Sequence, residues 1–167
     1  IPYGNEVKIV DEKLKDVPRN TIGQICVKGP NVMKEYYKNS EETKKSFIDD
    51  WFLTGDLGFM DEENYVFVRG RIKELIIKGG ENISPREIDD ILYQHPNVVE
   101  AAAFAMPCNH YGEKIEAGVV LNKEKSLKEN DLISHCKKFL GDFKSPSKIH
   151  FFSELPKGSS GKIKRLK

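Results

Sequence analysis

Short apolar or alternating segments, separated by turn residues, fill the first part of the chain. Residues 6–10 and 23–28 alternate with a period of two or run apolar, and clusters of Gly, Pro and Asn lie between them. Residues 57–60 and 65–68 flank the stretch Asp-Glu-Glu-Asn at 61–64, which is typical of a tight turn. The pattern predicts a β-rich region that ends in a hairpin.

From residue 70 onward the pattern changes to strands that alternate with helices. The apolar or β-rich runs that we expect to be strands lie at residues 72–78, 98–105, 115–121 and 148–152. We place the boundary between the two regions near residues 70–73. The sequence therefore predicts a β-rich piece followed by a small α+β domain.

Three segments carry signals for the start of a helix. Residues 40–48 begin with the hydroxyl of Ser40 as a cap, and two acidic residues follow. Residues 84–87, Ser-Pro-Arg-Glu, form a capping box with proline at the first helical position, and residues 126–129, Ser-Leu-Lys-Glu, form a second box. The helix after the second box is expected to bury Leu132, Ile133, Cys136, Phe139 and Leu140.

Composition argues against several classes of function. The 27 basic residues nearly cancel the 26 acidic ones, so no global positive field favours nucleic acid. The three cysteines are far apart and form no C-x-x-C motif, which favours reduced thiols and gives no support to a zinc site. The longest apolar run, at residues 101–106, is too short for a transmembrane helix.

The segment 155–165, Leu-Pro-Lys-Gly-Ser-Ser-Gly-Lys-Ile-Lys-Arg, contains the first candidate for chemistry. Glycine and serine let its backbone approach a ligand closely, and the ammonium of Lys162 suits phosphate or carboxylate oxygens. The alternatives are a flexible linker and a solvated basic tail over residues 162–167. A P-loop does not fit, because Pro156 and Ile163 stand where that motif needs glycine and a hydroxyl residue.

Asp56 is the second candidate, at the open end of the predicted hairpin. With the turn at residues 61–64, Asp56 is expected opposite Arg69 and Gly70 and close to Arg71. A carboxylate beside a guanidinium can bind the ribose hydroxyls and the phosphate oxygens of a nucleotide. The alternative is an ordinary turn with a surface ion pair.

Two adjacent glycines, Gly79 and Gly80, form the third candidate. They lie between a predicted strand and a capped helix, where the missing side chains can admit a long, thin ligand past the backbone. The alternative is a turn that requires positive φ, which is a common reason for one glycine and a less common one for two.

In this order and spacing, the three segments resemble the adenylate-forming superfamily: acyl-CoA synthetases, aryl-CoA ligases, luciferases and the adenylation domains of peptide synthetases. The resemblance covers essentially the whole chain. Residues 29–34 and 70–81 are most similar to the acyl-CoA synthetases of the oxalate and 4-coumarate ligase neighbourhood. Ile77 departs from the coumarate-type pattern, which usually has a lysine at that position.

The resemblance implies an organisation for the chain as the C-terminal portion of a longer enzyme. Residues 1–70 would be the β-rich end of a large N-terminal adenylating domain, and residues 71–73 would be a hinge. Residues 74–167 would be a small, mobile α+β domain with a three-stranded sheet and flanking helices. The expected partner is the rest of the large domain, with the phosphate loop, the adenine site and the acyl pocket.

The resemblance also implies an ATP side of the site. Asp56 would hold the ribose of ATP or AMP, and Arg71 would contact the ribose or a phosphate. Lys162 would be the catalytic lysine of adenylation, with its ammonium between the attacking carboxylate and the α-phosphate. Magnesium would accompany ATP, with its ligands outside this chain and none within it.

A second side would serve coenzyme A. Lys73 would occupy the hinge position about which the small domain rotates between two half-reactions. Gly79 and Gly80 would line the passage for the pantetheine arm of CoA, with Tyr111 near the thiol. The implied reaction converts a small carboxylic acid, ATP and CoA into acyl-CoA, AMP and pyrophosphate.

Three alternatives to an acyl-CoA synthetase stay open at this point. They are an adenylation domain that loads a carrier protein, a luciferase-like enzyme and a non-catalytic binding module. The identity of the acid cannot be deduced, because the acyl pocket is not in this sequence. We expect a cytoplasmic protein, with the peroxisome as the alternative.

Overall fold

The structure, a computed structural model, describes residues 3–122 and 127–165. The chain divides into two compact units, Ile1–Lys73 and Glu74–Lys167. Each unit has its own sheet and its own cluster of buried side chains.

The first unit is built on a five-stranded antiparallel sheet. Its strands are β1 (Glu6–Val10), β2 (Gly23–Lys28), β3 (Phe47–Ile48), β4 (Trp51–Met60) and β5 (Val66–Arg71). The long strand β4 pairs with β2 on one edge, and with β3 and β5 at different points along its length. The bounds of β1 and β2 are those predicted from the alternating pattern, and Ile9, Ile25 and Met60 form the small buried cluster.

The one helix described in this unit, α1 (Ser40–Ser46), begins one residue earlier than its predicted cap implies. The N-cap is Asn39, whose side chain accepts a hydrogen bond from the amide of Glu42 at 3.1 Å, so Ser40 is already inside the first turn. The predicted helix was also too long at its other end. Phe47 and Ile48 leave the helix and pair with β4, where the ring of Phe47 contacts that of Phe52.

The predicted hairpin between β4 and β5 is confirmed. Asp61 accepts hydrogen bonds on its side chain from the amides of Glu63 and Tyr65, and its own amide donates to the carbonyl of Tyr65. Asn64 adopts a positive φ of 67°, a conformation that asparagine tolerates better than most residues.

The second unit is α+β, as predicted. Its strands are β6 (Ile76–Lys78), β7 (Glu81–Ile83), β8 (Val98–Cys108), β9 (Gly112–Leu121) and β10 (Lys148–Phe151), and its helices are α2 (Pro85–Tyr93) and α3 (Glu129–Lys144). Strand β9 pairs with β8 along one edge, and with β10 and β6 along the other. Strands β8, β9 and β10 correspond to the three-stranded sheet that was expected. Strand β6 is the second half of the strand predicted at residues 72–78, whose first residues, Ile72–Glu74, form a 3-10 helix instead. With β6 and β7 the sheet has five strands.

Helices α2 and α3 supply the apolar side chains that cover one face of this sheet. The fully buried side chains at the centre of the core are Ile76, Ile83, Ile88, Leu92, Ile115, Leu132 and Cys136. Ile133 and Leu140 pack against this core, but Phe139 is 58% exposed, so the prediction that α3 buries Phe139 was wrong. Phe139 lies at the border of the apolar face and contacts the ring of His135 instead.

The two predicted capping boxes have different outcomes. Ser84 is the N-cap of α2, but its side chain makes no capping hydrogen bond, and Glu87 forms an ion pair with Lys144 instead. Helix α3 begins at Glu129 with Lys128 as the N-cap, whose amide donates to the carboxylate of Asp131 at 3.1 Å. Ser126, the predicted cap, lies outside the described residues.

None of the helices within residues 3–122 and 127–165 has the length and apolar character needed to cross a membrane.

Candidate functional site

Asp56 and Arg71 form a direct pair at the open end of the β4–β5 hairpin. The two residues are partners in the register, and Nε of Arg71 donates to Oδ1 of Asp56 at 3.0 Å. The expected positions opposite Arg69 and Gly70 were wrong by one to two residues. The register shifts between Leu57 and Gly58, so that Arg69 becomes the extra residue of a β-bulge.

The local backbone presents Asp56 to solvent as an acceptor. The hydroxyl of Thr54 donates to the carbonyl of Ile25 at 2.8 Å and accepts from the amide of Asp56 at 3.0 Å, which fixes the turn of the strand. Gly55, at φ 72°, has no neighbour within 4 Å of where a Cβ would lie. The side chain of Asp56 is 31% exposed and that of Arg71 is 63% exposed, so both can bind a polar ligand.

Lys73 lies at the end of the first unit. It belongs to a one-turn 3-10 helix, Ile72–Glu74, which connects β5 to β6, and its side chain is exposed. The division between the two units falls directly after Lys73, the residue predicted for the hinge.

Gly79 and Gly80 form the two-residue turn between β6 and β7. Lys78 pairs with Glu81 across the turn, and both glycines have positive φ, 58° and 85°. Positive φ at both central residues is the requirement of the type I′ hairpin turn, so the turn alternative explains both glycines. The turn also makes β7, a strand that the sequence did not predict.

The glycine turn and Tyr111 are neighbours. The amide of Gly79 donates to the carbonyl of Tyr111 at 2.9 Å, and a Cβ on Gly79 would lie 3.3 Å from the Tyr111 ring. The ring of Phe143, at the end of α3, lies across from Tyr111 with 6.1 Å between ring centroids. Three of the residues predicted for CoA, Gly79, Gly80 and Tyr111, are therefore brought together.

Lys78 is a buried cation beside this group that we did not predict. Its ammonium donates to the carbonyl of Phe143 and lies over the rings of Phe143 and Tyr111, 4.8 and 5.6 Å from their centroids. Burial lowers the pKa of Lys78. In β6, Ile76 and Lys78 lie on the inner face and Ile77 on the outer one. Because residues 75–77 are all apolar, the sequence contains no signal for the face that Lys78 takes.

Lys162 lies on a short turn that is closed by backbone hydrogen bonds, and we call residues 157–163 the Lys162 turn. Lys157 and Ile163 form an antiparallel bridge, and the amide of Gly158 donates to the carbonyl of Lys162 at 2.8 Å. The side chain of Lys162 is exposed, and within residues 3–122 and 127–165 its ammonium has no ion pair. The segment is therefore a defined turn that presents an exposed cation, and the linker alternative is not supported.

Arg165, two residues after the turn, does not belong to a solvated tail. Its guanidinium donates to Asp89 at 2.7 Å, to Glu74 at 2.9 Å and to the carbonyl of Ala103 at 2.9 Å, and we call these four residues the Arg165 cluster. The side chain of Arg165 is only 22% exposed. The solvated-tail alternative was therefore wrong for this residue.

Among residues 3–122 and 127–165, no three His, Cys, Asp or Glu side chains are arranged to hold a metal ion. We derive no step through magnesium.

Two family profiles match the chain, one near each end. The profile described as AMP-binding enzyme matches residues 1–37, and the profile described as AMP-binding enzyme C-terminal domain matches residues 87–162. The chain belongs to the AMP-binding enzyme family. The resemblance to adenylate-forming enzymes is thereby confirmed.

Curated relatives match almost the whole of this chain. Sulfoacetate–CoA ligase of Cupriavidus necator is 44% identical over 167 residues, which are 99% of this chain and 33% of the relative. Oxalate–CoA ligase of Arabidopsis thaliana is 43% identical over 164 residues, which are 98% of this chain and 32% of the relative. The chain thus spans about a third of the length of these curated relatives.

Solved structures confirm the fold. ATP-bound MatB from Rhodopseudomonas palustris matches with a TM-score of 0.91 and 41% identity, over 96% of this chain and 32% of that chain. Apo MatB from the same organism matches with a TM-score of 0.72 and 41% identity, over 97% of this chain and 33% of that chain. The two structures of MatB therefore differ from each other in this region.

Proposed function

We propose that this chain is part of an ATP-dependent, AMP-forming acyl-CoA synthetase. A carboxylate oxygen of the substrate attacks the α-phosphorus of ATP and pyrophosphate leaves, and the thiol of CoA then attacks the acyl carbon and AMP leaves. The observation that carries the proposal is the identity of 44% to a CoA ligase along 99% of this chain. The whole activity requires the remaining two thirds of such an enzyme, so we expect the 167-residue chain alone to form no adenylate.

Lys162 is the catalytic lysine in this proposal. The exposed ammonium of Lys162 has no ion pair among the residues that the structure describes, so it can enter an anionic site without losing one of them, and the same charge attracts the carboxylate and the α-phosphate. Negative charge builds between these groups as the new O–P bond forms. A cation placed there stabilises the transition state more than the separated substrates.

Asp56 and Arg71 bind the nucleotide in this proposal. The carboxylate of Asp56 has free acceptor capacity, because Arg71 occupies one of its two oxygens. That capacity suits two ribose hydroxyls, and the exposed fork of Arg71 is available for a ribose or phosphate oxygen.

Gly79, Gly80 and Tyr111 form the face for CoA. Gly79 and Gly80 have no side chains, so a thin pantetheine arm can pass close to their backbone and contact the ring of Tyr111. Lys73 acts as the hinge that exchanges this face with the Lys162 turn. The difference between the ATP-bound and apo structures of MatB, with TM-scores of 0.91 and 0.72, supports motion in this region of the family.

The experiment is a substrate survey with the full-length enzyme. Oxalate, sulfoacetate and butyrate, which occur in the names of relatives, are each supplied with ATP and CoA, and the products are identified by mass. We expect one acid to give its CoA thioester with equal amounts of AMP and pyrophosphate. Release of ADP, or transfer of the acyl group only to a carrier protein, would contradict the proposal.

The cellular location remains a prediction. We expect the cytoplasm, with the peroxisome as the alternative, since trans-cinnamate:CoA ligase of Petunia hybrida is named as peroxisomal.

A further inference from the structure

Both ends of the Lys162 turn are fastened to strand β8 by charged side chains. Lys157, at the start of the turn, and Arg165, just after its end, are cations that reach acidic residues far away in sequence. The backbone of the turn closes on itself through the bridge between Lys157 and Ile163. The two charged contacts decide where this closed turn lies on the second unit.

The contact after the turn is the Arg165 cluster. One guanidinium binds three groups at once: Asp89 of α2, Glu74 just before β6, and the carbonyl of Ala103 in β8. Asp89 is itself fixed, because its other oxygen accepts the amide of Ala103 at 2.6 Å and its side chain is 10% exposed. A planar fork that satisfies three partners leaves the backbone at Arg165 little freedom.

The contact before the turn is made by Glu100 of β8. One carboxylate oxygen binds the ammonium of Lys157 at 2.7 Å, and the other accepts the amide of Leu155 at 3.3 Å. Leu155 is buried, so the chain that enters the turn is held by packing and by charge. Glu100 and Ala103 belong to the same strand, which gives both contacts one rigid support.

We infer that Arg165 and Glu100 are positioning residues, which hold the Lys162 turn at its two ends so that the ammonium of Lys162 reaches the reacting carboxylate and α-phosphate in a fixed place. The inference rests on the proposed function of Lys162. Both side chains bind other residues of the chain, so we assign them an effect through Lys162 that is confined to the half-reaction that uses the turn. A displacement of about 1 Å at a reacting group can cost on the order of a hundredfold in rate.

The experiment uses the full-length enzyme and separates the two half-reactions. Removal of Arg165 alone would leave Asp89 as a buried charge, so we compare two variants that lack this charge. Asp89→Asn keeps the contacts of Arg165 with Glu74 and the Ala103 carbonyl. Asp89→Asn with Arg165→Met removes all three contacts of the guanidinium. ATP–pyrophosphate exchange reports adenylation, and CoA transfer to supplied acyl-adenylate reports the second step. Hydrogen exchange at the amides of Gly158 and Lys164 reports closure of the turn.

We expect exchange of pyrophosphate in the double variant to fall at least tenfold below that of Asp89→Asn, with CoA transfer within twofold. The amides of Gly158 and Lys164, which donate to the carbonyls of Lys162 and Pro156, should exchange faster while those of β9 do not. An adenylation rate within twofold of Asp89→Asn, or an equal loss in both half-reactions, would overturn the inference.

Glu100→Gln tests the contact at the start of the Lys162 turn. It also tests the inference if the double variant does not fold. It keeps the size of the side chain and removes the charge that holds Lys157, so adenylation should fall at least threefold with CoA transfer unchanged. An unchanged adenylation rate would overturn the inference. If Lys162→Ala keeps full adenylation, the proposed role of Lys162 fails. The hydrogen-exchange rates of the turn amides then show separately whether Arg165 and Glu100 hold the turn in place.

Discussion

Replacement of Arg165 by Met should destabilise the unit Glu74–Lys167 by about 3–5 kcal/mol at neutral pH, because it leaves a buried carboxylate without its partner. The variant keeps an apolar stem of similar length and removes only the guanidinium. Glu74, which is 38% exposed, can be solvated by water after the change, whereas Asp89 at 10% cannot. The cost therefore comes mainly from Asp89 and from the Ala103 carbonyl that loses its donor.

The pH dependence gives the sign of this effect. Burial raises the pKa of Asp89, and Arg165 and the amide of Ala103 oppose that rise. Without the guanidinium the pKa in the folded state moves further above the unfolded value of about 3.9. The folded variant then binds the proton more tightly than the unfolded chain, so the part of the loss that comes from the charge of Asp89 is absent below about pH 4 and grows as pH rises through the folded pKa. The smaller part that comes from the Ala103 carbonyl remains at every pH.

The assay is denaturant unfolding of the chain, monitored by hydrogen exchange at the amides of β8 and β9. Trp51, the single tryptophan, lies in Ile1–Lys73, and its fluorescence provides a separate signal for the other unit. Asp89→Asn with Arg165→Met should recover most of the loss and leave about 1–2 kcal/mol, since no buried charge remains. A loss below 1 kcal/mol in Arg165→Met at pH 8, or one that grows on acidification, would refute the reasoning.

Three other predictions follow from the same structure. Asp56→Asn in the full-length enzyme should raise the KM for ATP about tenfold or more, because hydrogen bonds to a charged acceptor are lost; an unchanged KM would exclude ribose binding. Leu132→Ala should lower the free energy of unfolding by about 2–5 kcal/mol, and the exposed control Phe139→Ala by less than about 0.5 kcal/mol; equal losses would contradict the assignment of Leu132 to the core and of Phe139 to the surface. Burial and then the charge of His135 lower the pKa of His95, so stability should fall as pH drops below about 6.5; a variant His95→Gln with the same pH profile would disprove this.

The strands were predictable where one face of a strand is buried. Alternation of apolar and polar positions fixes both the bounds and the inward face, as in β1 and β2. The strand β7 was missed because it has only three residues. The sequence signal that could have predicted it is the hairpin turn at Gly79 and Gly80. We took the two adjacent glycines as evidence for a ligand passage more than for a turn. A type I′ turn, however, requires positive φ at both central residues, and two glycines meet that requirement.

Caps and registers were harder to predict, because neighbouring residues compete for the same role. Asn39 and Ser40 are both good N-caps, and the hydrogen bonds of Thr43 to the residues before α1 favour Asn39. The bulge at Arg69 follows from how β4 and β5 pair, which the local sequence does not encode. The residue opposite Asp56 is therefore Arg71 and not Arg69 or Gly70. The prediction that Asp56 lies beside an arginine was correct.

The Arg165 cluster shows the limit of local reasoning. Arg165 follows three residues after Lys162 in a basic stretch, which is typical of a solvated tail. Its partners Glu74, Asp89 and Ala103 lie 91, 76 and 62 residues earlier, so only the tertiary structure shows that this one cation is held.

The role of Lys162 is tested most directly by Lys162→Ala in the full-length enzyme, with Lys164→Ala as the matched control. Lys164 is also an exposed lysine, and only its backbone contributes to closing the turn. We predict that Lys162→Ala lowers ATP–pyrophosphate exchange at least a hundredfold and leaves CoA transfer to supplied acyl-adenylate within twofold, while Lys164→Ala changes neither. Equal loss of both half-reactions in Lys162→Ala, or undiminished exchange, would contradict the account.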